Sequence, residues 1–159
     1  MRALIGSIEK EFDALEDRLC SLIEHTFDEM LFWKPVPDEK TLIELSIGGC
    51  VIRSAAMIEQ VFLGITRRLW DDPFEWTLRE SLPNREYLRG YINEVKKVTK
   101  EAFAHLKTED LPKRIYLPDG NPTTIGKLLL RTILHAVHHR GQLYAYVHLF
   151  SEEKLPRTY

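Results

Sequence analysis

Four stretches of this chain carry apolar residues at alternating steps of three and four, and all eight prolines fall outside them. That spacing marks a helix with one buried face, which an interior proline would break. The first stretch runs from about Arg2 to Leu31 through Leu4, Ile8, Phe12, Leu15, Leu19, Leu22 and Met30. Glu9, Lys10, Glu16, Asp17 and Glu24 read as lying off its apolar face, and Pro35 and Pro37 end it. The second stretch begins at Thr41, where Thr41 and Glu44 form the T-x-x-E pattern of a capping box. It continues through Leu45, Val51, Ile52, Ala55, Ile58, Phe62, Ile65 and Leu69, and stops before Pro73. The third spans about Asn84, read as an N-cap, to Leu106. The fourth starts at Thr123 or Thr124 and reaches about Phe150.

The connections are polar. Phe74 to Pro83 reads as a loop, and Glu109 to Pro122, with three prolines and the turn Asp119-Gly120, as non-helical. Arg114 to Leu117 reads as briefly extended, but a lone short strand makes no sheet. The expectation is an all-α protein, a four-helix bundle over residues 1–150 with a loose tail at 151–159. Periodicity alone leaves an up-down-up-down order and a crossover order both open.

A chain of 159 residues that is 44% hydrophobic builds one sizeable core. Charged residues make up 29% and nearly cancel, with a net charge of −2. That balance argues against a polyanion binder, so no nucleic-acid partner is expected. The basic pairs Arg67-Arg68 and Lys96-Lys97 read as solvated helix faces. Cys20 and Cys50 sit in apolar patterns without CxxC spacing and read as free thiols. The apolar stretch Ala3 to Ile8 meets Glu9 and Lys10 at once, unlike a signal peptide. The longest run without Lys, Arg, Asp or Glu, Gly141 to Ser151, is far shorter than the roughly 20 residues of a membrane span. A cytoplasmic protein with no membrane partner is expected.

Residues 135–142 read HAVHHRGQ. On a helix turning about 100° per residue, His135 and His139 lie one above the other, close enough to reach one ion. His135 and His138 are also close enough to share a site, but His138 points about 100° away from His139, so all three are not expected to converge. Leu128, Thr132, His135, His139 and Gln142 share a stripe too polar for an ordinary core and too apolar in its surroundings for a solvent face. A pocket inside the bundle is the reading that fits. A metal site needs at least three protein ligands, so a third must come from another helix.

These residues resemble the DinB-like superfamily, which includes the YfiT-type proteins. HHRGQ late in a fourth helix carries the resemblance, as does WKPVPDEKTLIEL at the junction of the first two helices. The resemblance covers essentially the whole chain. It implies a four-helix bundle in the order up-down-down-up, frequent homodimers, and a divalent metal (Zn, Ni or Fe) held by three histidines. Two of those, four apart on the last helix, correspond to His135 and His139. It further implies a metal-dependent hydrolase or a thiol S-transferase using a small thiol such as bacillithiol or mycothiol.

The third histidine, on the second helix, is absent. Alignment through Glu44-Leu45 places it at Gly48, and alignment through Ser46-Ile47 places it at Arg53. Glycine has no donor, and arginine is a permanent cation that repels a divalent ion. Glu44, Cys50, His25 and Glu59 are surrogate candidates without a spacing argument. Arg53 suggests another use: its charge takes the place of the metal's, either to bind an anionic ligand or to pair with Glu59. Two functions therefore stand side by side. One is an enzyme with an altered metal site at His135 and His139, with His138, Gln142, Arg53 and Glu44 around it. The other is a metal-free member that binds a small molecule or a dimeric partner. Gln142 is read as orienting an imidazole or a water. Gly48-Gly49 and Gly141 are read as points of close approach, since interior glycine costs a helix about 1 kcal/mol.

Overall fold

In a computed structural model, described over residues 2–34, 46–71, 77, 80–151 and 155, the four stretches form helices α1 (Arg2–Glu24), α2 (Ile47–Arg67), α3 (Arg85–His105) and α4 (Ile125–Phe150). α4 packs on α2 and α1, and α3 packs on α2 and α1, while α1 and α2 barely touch. Consecutive helices α1 and α2 thus face each other across the diagonal. That arrangement excludes a sequential ring of neighbours and is the crossover kind of bundle the resemblance implies. Phe12, Phe62 and Phe103 meet at its centre with ring centroids 4.9–5.8 Å apart, joining α1, α2 and α3. Contacts at this spacing and tilt add to what burial alone contributes.

The helix ends depart from the sequence reading in informative ways. α1 stops at Glu24 rather than near Leu31. His25 Nδ1 donates to the Ser21 carbonyl at 2.7 Å, and the Thr26 hydroxyl donates to the Leu22 carbonyl. Side chains thus take over carbonyls that the next turn would have used. A short 3-10 turn at Asp28–Met30 follows, and it buries Leu31 completely. The Leu31 carbonyl then accepts from the Gly48 amide at 2.7 Å. α2 starts at Ile47, with Ser46 extended as its N-cap and its hydroxyl accepting from the Gly49 amide at 3.0 Å. The proposed Thr41–Glu44 capping box lies outside the described residues. Asn84 and Thr124 cap α3 and α4 as expected, accepting from Tyr87 N and Lys127 N.

Arg114–Tyr116 does find a partner. It pairs antiparallel with Pro122–Thr124, with Ile115 opposite Thr123, so the two form a small hairpin (β1 and β2). Gly120, at φ +79°, closes the turn from Leu117. Pro122 hid this strand from the sequence reading. At the first position of a two-stranded ribbon its missing amide costs no ladder bond.

α2 is long and apolar enough, by length and composition, to cross a bilayer, yet 72% of its most apolar window is buried inside the bundle. Of the tail, Leu155 packs into the core.

Candidate functional site

α4 carries HAVHHRGQ through its middle turns, with Leu128, Leu129, Thr132, Ala136, His139, Leu143 and Val147 turned inward. His135 is half-buried and His139 is 7% exposed. Their rings meet edge to face with centroids 4.6 Å apart. The expected stacking of two imidazoles one turn apart at the interior is therefore present, on the side of α4 that faces α2.

Gln142 fixes the inner ring. His139 Nδ1 lies 2.8 Å from Gln142 Oε1, which can only accept, so the proton sits on Nδ1 and Nε2 keeps its lone pair. Cys50 of α2 donates its thiol to the same oxygen across 3.9 Å. The two donors on one amide oxygen tie α2 to α4 beside the histidines.

Burial lowers the pKa of both imidazoles. For His135 the neighbouring His138 and then Arg53 lower it further. For His139 the bond to Gln142 opposes the shift, while His135, His138 and Arg53 add to it. Both rings are thus neutral at pH 7. Arg53 projects from α2 near enough for its charge to act on both. Burial pushes the Cys50 thiol up to about 11 despite Arg53, so it is a protonated donor at neutral pH and no nucleophile.

The remaining sequence candidates divide. His138 is exposed, but its ring centroid lies 5.3 Å from that of His139 and edge-on to it. Its side chain reaches the pair edge-on, and the three rings do not form a group placed to hold one ion. Glu59 is turned to α3, where the Tyr91 hydroxyl donates to it at 2.7 Å. His25 closes α1 and is not part of the site. Glu44 lies outside the described residues. Gly48 is explained by close approach: a Cβ there would sit 2.5 Å from the Phe32 ring. For Gly141 no close approach is found: among the described residues nothing lies within 4 Å of where its Cβ would be.

Next to His135 opens a cavity of about 460 Å³ that the sequence reading missed. Met57 and Gln60 of α2 and Leu128 and Thr132 of α4 form its walls, Trp70 closes one end, and the hairpin turn at Leu117–Asp119 lies over it. Trp70 reaches this place through a tight reversal. Arg68 adopts a left-handed conformation at φ 58°, and the Leu69 amide returns to the Leu63 carbonyl. Gln60 then donates to the Asp71 carbonyl at 3.2 Å. The indole lands on Gly64, where a Cβ would be 2.5 Å from the ring. The pairing of Gly64 with Trp70 six residues on was the sequence signal for this wall.

Among the described residues no group of three or more His, Cys, Asp or Glu side chains is placed to hold a metal ion. The histidine pair offers two donors, and the charge that reaches them from the facing helix α2 is the cation of Arg53. This donor set does not fit the three-ligand site that the resemblance implies.

The DinB superfamily family model matches residues 11–143. A crystal structure of a DinB-like protein from Bacillus subtilis superposes with a TM-score of 0.74 over 95% of this chain and 96% of that one, at 21% identity. A comparison with curated proteins finds no match. The likeness in structure agrees in fold with the family assignment, and the chain belongs to the DinB superfamily.

Proposed function

We propose that the seam between α2 and α4 is a binding site for a small organic anion, with Arg53 as its charged anchor and the adjoining cavity holding an apolar body. The observation that carries this reading is Arg53 of α2, close enough for its charge to act on both neutral imidazoles of α4, at one of the two positions, Gly48 and Arg53, onto which the family's helix-2 histidine aligns. A guanidinium fork matches a carboxylate bidentately. His139, with its lone pair on Nε2, adds an acceptor that suits a donor group on the ligand. The cavity walls are largely apolar and its volume is that of a small-molecule site. In this reading the protein binds rather than transforms its ligand. Cys50 stays protonated and supplies no nucleophile.

Titration calorimetry with phenylacetate and its uncharged amide tests this. The acid is expected to bind at least about tenfold more tightly, the scale of one charge-assisted hydrogen bond. Arg53→Met is expected to erase the difference. Equal affinity for acid and amide in the parent protein overturns the anchor role of Arg53.

A second reading, the metal-dependent hydrolase or thiol S-transferase, is favoured by the close His135–His139 pair and by the bond that holds His139 in a ligating tautomer. Its signature is stoichiometric zinc or nickel uptake that His135→Ala and His139→Ala each abolish. Such uptake without any carboxylate binding replaces the first reading with this one.

A further inference from the structure

α1 and α4 end side by side, and a cavity of about 560 Å³ opens between their ends, within the size range of small-molecule sites. Phe150, the last residue of α4, lines it together with the chain leaving α1, from Glu24 to Phe27, and Arg85 at the start of α3. Phe150 lies 11 residues beyond His139, about 16 Å along the helix, so this cavity is separate from the one beside His135.

Two aromatic rings border it. Phe27 is 65% exposed, and no other ring lies against it among the described residues. A single exposed phenylalanine is ordinary; its place beside a cavity is what gives this one a use. Phe150 is steadied from behind by Trp33, edge to face at a centroid distance of 4.8 Å.

The charges around the cavity leave a negative excess. The carbonyl ends of α1 and α4 both lie there, each equivalent to about half a negative charge. α3 starts at the same end of the bundle with its positive pole, but that pole is already answered. Asp28 Oδ1 accepts from the Arg85 amide at 3.0 Å and from Arg85 Nε at 3.1 Å, and Glu86 sits in the first turn. The Arg85 charge is paired by the same contact, and its Nη1 donates to the Glu24 carbonyl at 3.5 Å. His25 turns its Nδ1 back to the Ser21 carbonyl. Glu24 Oε1 accepts from Arg89 at 3.2 Å, while Oε2 has no hydrogen-bond partner among the described residues.

We infer that this cavity is a second ligand site, for a primary amine carried on an apolar or aromatic body. The ammonium donates to Glu24 Oε2, and the body lies against Phe27 and Phe150, whose ring faces attract a cation as well as bury carbon. An anion would meet the carbonyl ends of two helices and a carboxylate. The inference uses no group of the α2–α4 seam, so it stands or falls apart from the anion site there.

Calorimetric titration of the full chain with 2-phenylethylamine, protonated at pH 7, and with 2-phenylethanol, its neutral counterpart, provides the test. The amine is expected to bind at least about fivefold more tightly, the low end for a charge-assisted hydrogen bond. Glu24→Gln is expected to bring the two ligands level, and Phe27→Ala to weaken both by about threefold. Both side chains are exposed, so circular dichroism is expected to show the fold of each variant unchanged. Saturating phenylacetate is expected to leave amine binding as it was. A parent protein that binds neither ligand, or both equally, overturns the inference. So does amine binding that survives both substitutions or is displaced by phenylacetate.

Discussion

Glu16 is the most exposed weakness of the bundle's energetics, although it is 1% exposed to solvent. One carboxylate oxygen accepts from the Thr99 hydroxyl at 3.0 Å, and the other, also buried, has no hydrogen-bond partner among the described residues. Burial pushes its pKa from 4.5 to about 7. The Thr99 bond and Lys96 oppose the shift, and Asp13 and Asp17 add to it. The direction fixes the sign of the pH dependence. Below about pH 4.5 both folded and unfolded chains carry the neutral acid, and this group's contribution is intact. Between there and about pH 7 the unfolded chain ionises first, so stability falls. Above the folded pKa the loss is complete, at about 3 kcal/mol from the size of the shift. Glu16→Gln keeps an oxygen for Thr99 and removes the ionisation. At pH 8 the variant is expected to melt roughly 5–10 °C above the parent, and at pH 4.5 the two are expected to converge. Thermal denaturation followed by circular dichroism across that range measures the difference. A variant that is equally or less stable at pH 8, or a gap that does not close on acidification, refutes the account of Glu16 as a carboxyl held in the core.

Ser46→Ala removes the cap of α2 and leaves the Gly49 amide unsatisfied in the interior. Urea denaturation is expected to show a loss of about 1–2 kcal/mol. Gly64→Ala places a methyl against the Trp70 ring, which must leave its seat. The expected cost is about 1–3 kcal/mol, accompanied by weaker phenylacetate binding as the cavity loses that wall. Cys50, 1% exposed and with its thiol near 11, is expected to escape iodoacetamide at pH 7 in the native protein and to react once it is unfolded; peptide mass spectrometry reads both states.

Helix periodicity and capping residues were legible because they depend on local geometry. Asn84 and Thr124 could be picked out, and so could the inward turn of His135 and His139. Glu16 shows where that legibility ends. Its charge placed it off the apolar face, but its helical angle lies within about 60° of Leu19 and Phe12. Position outweighs residue type once neighbouring helices close over it. The end of α1 was missed for a related reason. Met30 and Leu31 continue the apolar count, yet the chain buries Leu31 by turning back rather than by continuing the helix, so that its carbonyl meets Gly48. Trp70 and the hairpin were out of reach because both walls of the cavity come from reversals of the chain, where apolar periodicity is silent.

The glycines of α2 connect the fold to the site. Gly48 receives Phe32 at the start of the helix and Gly64 receives Trp70 near its end, 16 residues and about 24 Å apart. Each aromatic ring belongs to the segment entering or leaving α2, so the helix is wedged at both ends by its own connections. Arg53 and Met57 lie between the wedges, facing α4. A helix held this way cannot slide along its neighbour without unseating a ring. The distance between Arg53 and the imidazoles is therefore set by packing remote from the site. A site whose Arg53 is held in this way keeps a fixed spacing to the imidazoles, which is the condition that the proposed anion site requires.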